Sequence, residues 1–424
     1  MYTYTADFSN AYLHADMPKN KNIAIQFREK GILQLIANRI PPHFKNEDGV
    51  VMSDLVGVLN KSLYGLANAG KLWGDLLSKT LKNMGFKRST LDPCCYYNKN
   101  YHGGEMHLCV FVDDIAAFTN NPKAWEKFLA SLRKQKFKLT DEGLTSFLGA
   151  TITTSNDGES ISLSQEPYLE SMAIRFASEL RDVKPKDTPL PTKTSINMTQ
   201  CPKDENSQKL AKSFKFREMI GCLIWLSVYT RPDLLYPTTQ LAQVMSNPSK
   251  DHYNLLKRVV MYAIASKGRK LTYTSDGQGV QLQAYVDANF NTGDTGRSNA
   301  GWCITISGAE VMSSSKIIKA VATSSTHAEI HALFHCIKDV VWIRRLLEEI
   351  GMPQGKPTPI YEDNTACIKF AETLQVKNRT KHLEIKYFYI KQIANWGLIT
   401  IVYMPTKEQV ADAFTKPLAF EGHK

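Results

Sequence analysis

Two acidic residues in the first half of this 424-residue chain could hold a metal ion. Asp113 and Asp114 stand between two runs of strand-forming residues, 108–112 and 115–118, and this pattern predicts a tight hairpin with both acids at its tip. Divalent ions that carry out nucleotidyl transfer need two or three converging carboxylates. An isolated acid pair in a turn is more often ordinary solvated turn chemistry. The flanking runs are suited to burial, and two adjacent buried carboxylates would repel each other. A bound cation between them would offset this repulsion, so burial favours a metal site.

A second group of acids lies in the last third of the chain: Asp287, Glu329, Asp363 and Asp412. Asp287 and Asp363 follow predicted strands, at the position where open α/β sheets place their sites. Glu329 lies one turn into a long predicted helix, and Asp412 lies in the last predicted helix. Each has a structural alternative: Glu329 fits a capping box, Asp363 fits a helix N-cap, and Asp412 fits a surface acid. Ribonuclease H chemistry needs such a cluster around two metals.

The elements that position these acids are expected to belong to several domains, because a chain of this length is too long for one ordinary hydrophobic core. Alternating and helical runs fill residues 1–182, and a proline-containing linker follows at 183–208. Residues 209–278 are predicted to be helical. From residue 279 to 418 the predicted order is βββαβααβα, with strands at Leu282–Val286, Gly301–Ser307, Glu310–Ser314, Pro359–Glu362 and Ile399–Met404, and the last helix at Lys407–Thr415. The fold class is therefore multidomain, α+β followed by α/β.

The amino-acid composition indicates which classes of binding partner to expect. The chain has 52 Lys and Arg against 41 Asp and Glu, a net charge of +11 that suits a polyanion. We find neither an apolar stretch long enough to cross a bilayer nor a secretory signal, and we expect a protein that is not secreted and has no membrane partner. The eight cysteines lack CxxC spacing, so we expect no zinc and expect thiols in a reducing compartment.

Five segments of the first half of the chain stand out: Thr5–Leu13, Lys61–Leu66 with Trp73, Phe111–Asp114, Ser146–Ala150 and Ser162–Gln165 with Tyr168. In this order they resemble motifs of copia-type reverse transcriptases, with Thr5–Leu13 as motif A, Phe111–Asp114 as the aromatic-Val-Asp-Asp motif and Ser146–Ala150 as the Phe-Leu-Gly element. The resemblance implies a palm and thumb in which Asp7, Asp113 and Asp114 hold the metals. It also implies that Tyr12 excludes a ribose 2′-hydroxyl and that Gly65 lets a nucleotide approach. A core aromatic at Tyr12 and an ordinary turn at Gly65 are the alternatives.

The second half resembles the remainder of the same polyprotein region. Segments 229–233 and 245–250 are similar to the connection, and four segments look like the acid motifs of copia ribonuclease H: Tyr285–Ala288, Ser324–Glu329, Glu362–Asn364 and Val410–Leu418. The resemblance implies that Asp287, Glu329, Asp363 and Asp412 hold metals. The Arg-Thr-Lys-His element with Arg379, Lys381 and His382 could contact a phosphate backbone, or could simply be a solvated helix start.

The resemblance implies an RNA-directed DNA polymerase with RNA–DNA hybrid ribonuclease activity and two Mg²⁺ or Mn²⁺ ions per site. Implied partners are an RNA template, a DNA primer, the hybrid, dNTPs and other polyprotein products, in cytoplasmic virus-like particles or the nucleus. Two departures count against polymerisation: only six residues precede Asp7, so we expect the fingers to be truncated, and Ala67–Gly70 replaces the usual Lys-Gln-Ala-Pro. The alternative is a polymerase-inactive relic that retains ribonuclease H or only nucleic-acid binding.

Overall fold

The structure is a computed structural model, and it describes residues 1–18, 23–26, 39–45, 56–275, 277, 279–292, 294–372 and 384–419. The chain divides into two compact units, Met1–Leu144 and Thr145–Lys424. None of the helices within these described stretches combines the length and apolar character that crossing a bilayer requires.

The first unit contains a six-stranded sheet in the order β4-β5-β6-β7-β1-β8 and a separate β2-β3 pair. Its strands are β1 (Tyr2–Phe8), β2 (Ala24–Gln26), β3 (Val56–Val58), β4 (Lys87–Arg88), β5 (Cys95–Tyr101), β6 (Gly104–Phe111), β7 (Asp114–Thr119) and β8 (Leu139–Gly143). Its helices are α1 (Ala69–Asn83) and α2 (Pro122–Lys134), with 3-10 helices at Ala11–His14 and Pro42–Phe44. Both α-helices pack on one face of the six-stranded sheet, where alternate strand residues form the core.

Helical spacing of apolar residues explains why α1 and α2 bury one face each. Trp73, Leu77 and Leu81 recur every fourth residue of α1 and are almost completely buried. Helix α2 begins with Pro122, a residue whose fixed φ suits the first helical turn, and the side chain of Asn121 caps it by accepting from the amide of Lys123. The two helices thus hold the sheet that carries the predicted hairpin.

The second unit begins with a four-stranded sheet in the order β12-β11-β10-β9, next to a helical block. Its strands are β9 (Ser146–Phe147), β10 (Ala150–Thr154), β11 (Ser160–Ser164) and β12 (Leu271–Thr274). The helices are α3 (Glu166–Arg175), α4 (Ala177–Leu180), α5 (Glu205–Ser213), α6 (Phe216–Ser227), α7 (Leu235–Ala242) and α8 (Lys250–Ala265), with 3-10 helices at Met198–Gln200 and Pro232–Leu234. The fully buried Arg231 ties this block together, because it pairs with Asp233 and donates to carbonyls at the end of α8.

The rest of the second unit is a mixed five-stranded sheet in the order β15-β14-β13-β16-β17. Its elements are β13 (Leu282–Thr292), β14 (Arg297–Ile306), β15 (Ala309–Ile317), α9 (Ser325–Glu349), β16 (Thr358–Glu362), α10 (Thr365–Glu372), α11 (Glu384–Asn395) and β17 (Ile399–Tyr403). Strands β13 to β15 are antiparallel, whereas β13, β16 and β17 are parallel. Helix α9 packs on the face that buries Leu282, Ala284 and Val286.

The mixed α/β class and the predicted order of elements are confirmed. The end of the chain differs in detail, because the predicted helix Lys407–Thr415 is two 3-10 helices, Thr406–Glu408 and Val410–Phe414. The hairpin also differs. Asp114 is the first residue of β7, and only Val112 and Asp113 connect the two strands. The boundaries 1–182, 183–208, 209–278 and 279–418 remain predictions.

Candidate functional site

Strand register brings Asp287 and Asp363 to the same edge of the five-stranded sheet. Strands β13 and β16 are parallel, and Tyr285 pairs with Tyr361. Each acid lies two residues beyond that pair, so both side chains leave the sheet on the same face at its carboxyl edge. The Asp287 carboxylate is held by a hydrogen bond from the hydroxyl of Thr415.

Helix α9 supplies the third acid. Its buried positions include Ala328, Leu333, Cys336 and Val340, which pack against the sheet and fix the rotation of the helix. This rotation turns Glu329, only 4% exposed, toward Asp287, which is also 4% exposed. One carboxylate oxygen from each of Asp287, Glu329 and Asp363 lies within 4.8 Å of the others.

The fourth predicted acid, Asp412, is not among the carboxylates whose oxygens lie within 4.8 Å of one another, and it is ion-paired with Lys416. Its Oδ1 lies 2.7 Å from the Lys416 ammonium, one helical turn further along the chain. The short 3-10 helix that carries Asp412 sits directly on β14, where a Cβ on Gly301 would come within 2.7 Å of Phe414 and Thr415 side-chain atoms. Glycine therefore permits the approach that brings Asp412 and Thr415 to Asp287.

The electrostatics of the cluster indicate excess negative charge. Burial first, and then the carboxylates of Glu362, Asp287 and Asp363, raise the pKa of Glu329. Burial likewise raises the pKa of Asp287, partly offset by Lys416 and Thr415. The pKa of Asp412 rises to about 6, mainly through burial and against the hydrogen bond from Lys416. A bound cation would remove this penalty.

Three structural alternatives for these acids are wrong. The N-cap of α9 is Ser324, whose hydroxyl accepts from the amide of His327, so Glu329 does not form the capping box. The amides at the start of α10 donate to the side chain of Asn364, not to Asp363. Asp363 instead accepts a 2.7 Å hydrogen bond from Thr406. Asp412 is half-buried and ion-paired, unlike an ordinary surface acid.

Sequence reasoning missed Glu362, a fully buried carboxylate next to Asp363. Its Oε1 accepts from the amide of Asn364, and its Oε2 has no hydrogen-bond partner among the described residues. Burial raises its pKa to about 8. The signal was available, because Thr358, Ile360 and Glu362 alternate as the core-facing residues of β16 and a charged residue there is unusual. Thr415 and Lys416 were also missed.

The first unit brings the other predicted acids together on neighbouring strands. Asp7 pairs with Asp114 across β1 and β7, and the amide of Phe8 donates a 2.9 Å hydrogen bond to the carbonyl of Asp113. Burial, with Asp113 as the next contribution, raises the pKa of both Asp7 and Asp114. Asp7 is nevertheless exposed, and within the described part of the chain no set of oxygens from these three acids lies within 4.8 Å of one another.

The two predicted nucleotide-binding residues, Tyr12 and Gly65, lie in the same compact unit as these acids. The ring of Tyr12 packs against that of Tyr64 with centroids 4.5 Å apart, and it contacts the core of the unit. The pKa of Tyr64 is raised by burial and then by Asp113, which places this aromatic pair beside the hairpin. Gly65 has a φ of +92° with open space at its Cβ position, a conformation that requires glycine whether or not a ligand approaches.

The predicted backbone contacts Arg379, Lys381 and His382 lie outside the described residues. A different basic surface adjoins the acidic cluster of Asp287, Glu329, Asp363 and Asp412: a cavity of about 350 Å³ whose lining includes Lys193, Arg297 and Lys416. Asn289, two residues beyond Asp287, also lines it, together with Gln243 at the end of α7. The cavity is therefore polar, carries an excess of cations, and is built by the linker, the helical block and the five-stranded sheet.

Sequence comparisons relate the chain to retrotransposon polyproteins. A family model described as reverse transcriptase (RNA-dependent DNA polymerase) matches residues 4–192. The Pol polyprotein of transposon RE2 from Arabidopsis thaliana is 30% identical over 89% of this chain, and that of TNT 1-94 from Nicotiana tabacum is 28% identical over 85%. The chain spans about a quarter of the length of both polyproteins, 25% and 27%.

A shorter relative is covered almost fully. The transposon Ty5-1 protein YCL074W of Saccharomyces cerevisiae is 30% identical over 68% of this chain and 90% of its own length. The solved structure of LC11-RNase H1 from compost matches 32% of this chain at 19% identity, and its TM-score of 0.26 is too low to support an argument. From the family model and these relatives, the chain belongs to the copia-type retrotransposon family of reverse transcriptase–ribonuclease H proteins.

Proposed function

We propose that this protein is an RNA-directed DNA polymerase that also cleaves the RNA strand of RNA–DNA hybrids, by metal-dependent phosphoryl transfer at two separate sites. Its substrates are an RNA template, a DNA primer, dNTPs and the hybrid. The observation that carries the proposal is the convergence of Asp287, Glu329 and Asp363 within 4.8 Å on a sheet of ribonuclease H topology.

We call Asp287, Glu329, Asp363 and Asp412 the nuclease cluster, and their side chains fit a divalent cation. Glu329 has a buried oxygen, Oε2, with no hydrogen-bond partner among the described residues. The three atoms that could ligate a metal ion there are all carboxylate oxygens, which are hard ligands. Asp287, Glu329, Asp363 and Asp412 would hold two Mg²⁺ or Mn²⁺ ions. When bound, such ions would activate the attacking water and stabilise the leaving oxygen. Thr415 orients Asp287, and Lys416 keeps Asp412 ionised and directed toward the cluster.

In the polymerase unit, Asp7, Asp113 and Asp114 would hold the ions. The antiparallel pairing of Asp7 with Asp114 supports this role, because it keeps two carboxylates on adjacent strands. Tyr12 would lie against the sugar of the incoming nucleotide, next to Tyr64. Arg379, Lys381 and His382 would contact the phosphate backbone, and other products of the polyprotein would be its partners in cytoplasmic particles or in the nucleus.

A second candidate is a chain that has kept ribonuclease H, or only nucleic-acid binding, without polymerisation. One observation favours it: the acids of the nuclease cluster are buried and converge, whereas Asp7 is exposed and the three polymerase acids do not form an equally close group.

The experiment is a Mg²⁺-dependent primer-extension assay beside a hybrid-cleavage assay, with Asp113→Asn and Asp363→Asn variants. The exposed loop variant Asp157→Asn is the matched control. We expect extension to be lost only in Asp113→Asn and cleavage only in Asp363→Asn. Cleavage without extension in the parent protein would support the second candidate. A folded parent protein with neither activity would contradict both catalytic proposals and leave nucleic-acid binding alone.

A further inference from the structure

Two cysteines face each other across neighbouring strands of the first unit. In the register of β5 and β6, Cys95 is the partner of Cys109. The adjoining pair is hydrogen-bonded, since the amide of Val110 donates a 2.8 Å bond to the carbonyl of Cys94. Because the two kinds of pair alternate in an antiparallel ladder, Cys95 and Cys109 form a non-hydrogen-bonded pair, in which side chains approach most closely.

This position satisfies the geometry of a disulfide without any change of register. Non-hydrogen-bonded pairs have Cα atoms roughly 4.5 Å apart, within the range of about 4.4–6.8 Å that disulfides span. A hydrogen bond from the Cys95 thiol lowers the pKa of the Cys109 thiol in spite of its burial, which favours the thiolate, the reactive form.

Four of the other six cysteines differ from this pair. Cys222, Cys303, Cys336 and Cys367 are buried, and burial raises the pKa of the last three thiols. Cys95 and Cys109 are both free and partly exposed, so a small oxidant can reach them. Their strands lie in the middle of the six-stranded sheet order, where the ladder holds the two sulfur atoms opposite each other.

We propose that Cys95 and Cys109 are a redox-modifiable dithiol that hydrogen peroxide converts to a cross-strand disulfide. The Cys109 thiolate attacks one peroxide oxygen, the O–O bond breaks, and a sulfenic acid and hydroxide form. The Cys95 sulfur then attacks the sulfenic sulfur, the S–O bond breaks, and the S–S bond forms. Overall, two thiols and one peroxide give one disulfide and two waters, so the protein loses two hydrogen atoms. A thiol reductant restores the dithiol.

The test uses the full chain, treated with stoichiometric peroxide, alkylated, and digested for mass spectrometry. We expect one linked peptide pair joining the segments with Cys95 and Cys109, with the mass of two hydrogen atoms lost and regained on reduction. Cys95→Ser and Cys109→Ser should each abolish the link. Two matched variants, Cys94→Ser and Cys201→Ser, should keep it, and far-ultraviolet circular dichroism would show that all four are folded.

Several results would overturn the proposal. A link that survives Cys95→Ser but disappears in Cys94→Ser would assign it to the exposed neighbour. Disulfide-linked dimers, or full alkylation of Cys95 and Cys109 after peroxide treatment of folded protein, would exclude the intramolecular bond. These outcomes are independent of polymerase and nuclease activity, because the readout is the covalent state of the thiols.

Discussion

The indole Nε1–H of Trp73 donates a 2.6 Å hydrogen bond to the carbonyl oxygen of Val112. Val112 has a φ of +53° at the turn between β6 and β7, a conformation that is strained for a β-branched residue. The bond therefore fixes a costly turn from the core side and sets the position of the adjacent Asp113. It also gives a structural role to the tryptophan of the first-half motif.

Replacing Trp73 with Phe should loosen the hairpin. We expect a loss of about 1–3 kcal/mol in the free energy of unfolding, from the missing hydrogen bond and the smaller ring. Amide hydrogen exchange should accelerate at residues 111–114. The control is Trp125→Phe, which removes the same volume from the same core and should leave exchange at the turn unchanged. Equal exchange at residues 111–114 in parent and Trp73→Phe would contradict the role assigned to the bond.

Gly301→Ala should damage the nuclease cluster from a distance. The added Cβ would collide with Phe414 and Thr415, and the 3-10 helix bearing Asp412 would have to move away from β14. We expect a destabilisation of about 1–3 kcal/mol, typical of overpacking, and hybrid cleavage at least tenfold slower. Gly221→Ala is the control, because its Cβ position in α6 is open. Wild-type cleavage by Gly301→Ala would show that the close approach is not required.

Glu310 should make stability depend on pH. Burial, with a smaller contribution from Asp233, raises the pKa of Glu310 from 4.5 to about 6. The folded state therefore holds the proton more tightly than the unfolded state. The contribution of Glu310 to the free energy of unfolding is greatest below pH 4.5 and falls as the pH rises from 4.5 to about 6. Above that pH the contribution stays lower by about 1–2 kcal/mol.

Glu310→Gln should remove this dependence and raise the free energy of unfolding at pH 7. Urea titrations at pH 4.5 and pH 7 measure the effect, and the exposed Glu159→Gln is the comparison. The interpretation is wrong if the difference between parent and Glu310→Gln is the same at both pH values.

Arg297 in the cavity beside the nuclease cluster should contact a phosphate of the bound hybrid. If so, Arg297→Gln should reduce the slope of log binding constant against log salt by about 0.9, the contribution of one phosphate contact. Lys356→Gln is the control, since Lys356 precedes β16 and lies at the edge opposite Asp363. An unchanged salt slope in Arg297→Gln would place the nucleic acid elsewhere.

The sequence predicted which strands and helices carry the acids of the nuclease cluster, but it did not predict how closely those segments approach one another. The predicted strands placed Asp287 and Asp363 at strand ends, and the resemblance to the family motifs assigned the metal role to these two acids and to Glu329. The close approach at Gly301 was not predictable, because it depends on packing between segments far apart in the chain. Glu362 was predictable, because it is a charged residue in a core-facing position of β16.

The hairpin of β6 and β7 is a second feature that the sequence predicted only in part. The two strand-forming runs predicted the turn, yet which residues form its tip depends on cross-strand register. The structure pairs Phe111 with Asp114, which moves one acid out of the turn and onto the strand next to Asp7. The pairing of Asp7 with Asp114 is a contact between distant parts of the chain, and no local pattern encodes it.

The strand β1 is first in the sequence but lies inside its sheet, between β7 and β8. It can acquire its neighbours only after residues up to Gly143 have left the ribosome. Contacts this distant in sequence close slowly, because the intervening chain must first lose its freedom. We therefore expect β1 to remain without its final neighbours until the segments with β7 and β8 have emerged, as a strand with open edges that chaperones, or other nascent chains, can reach before Asp7 meets Asp114.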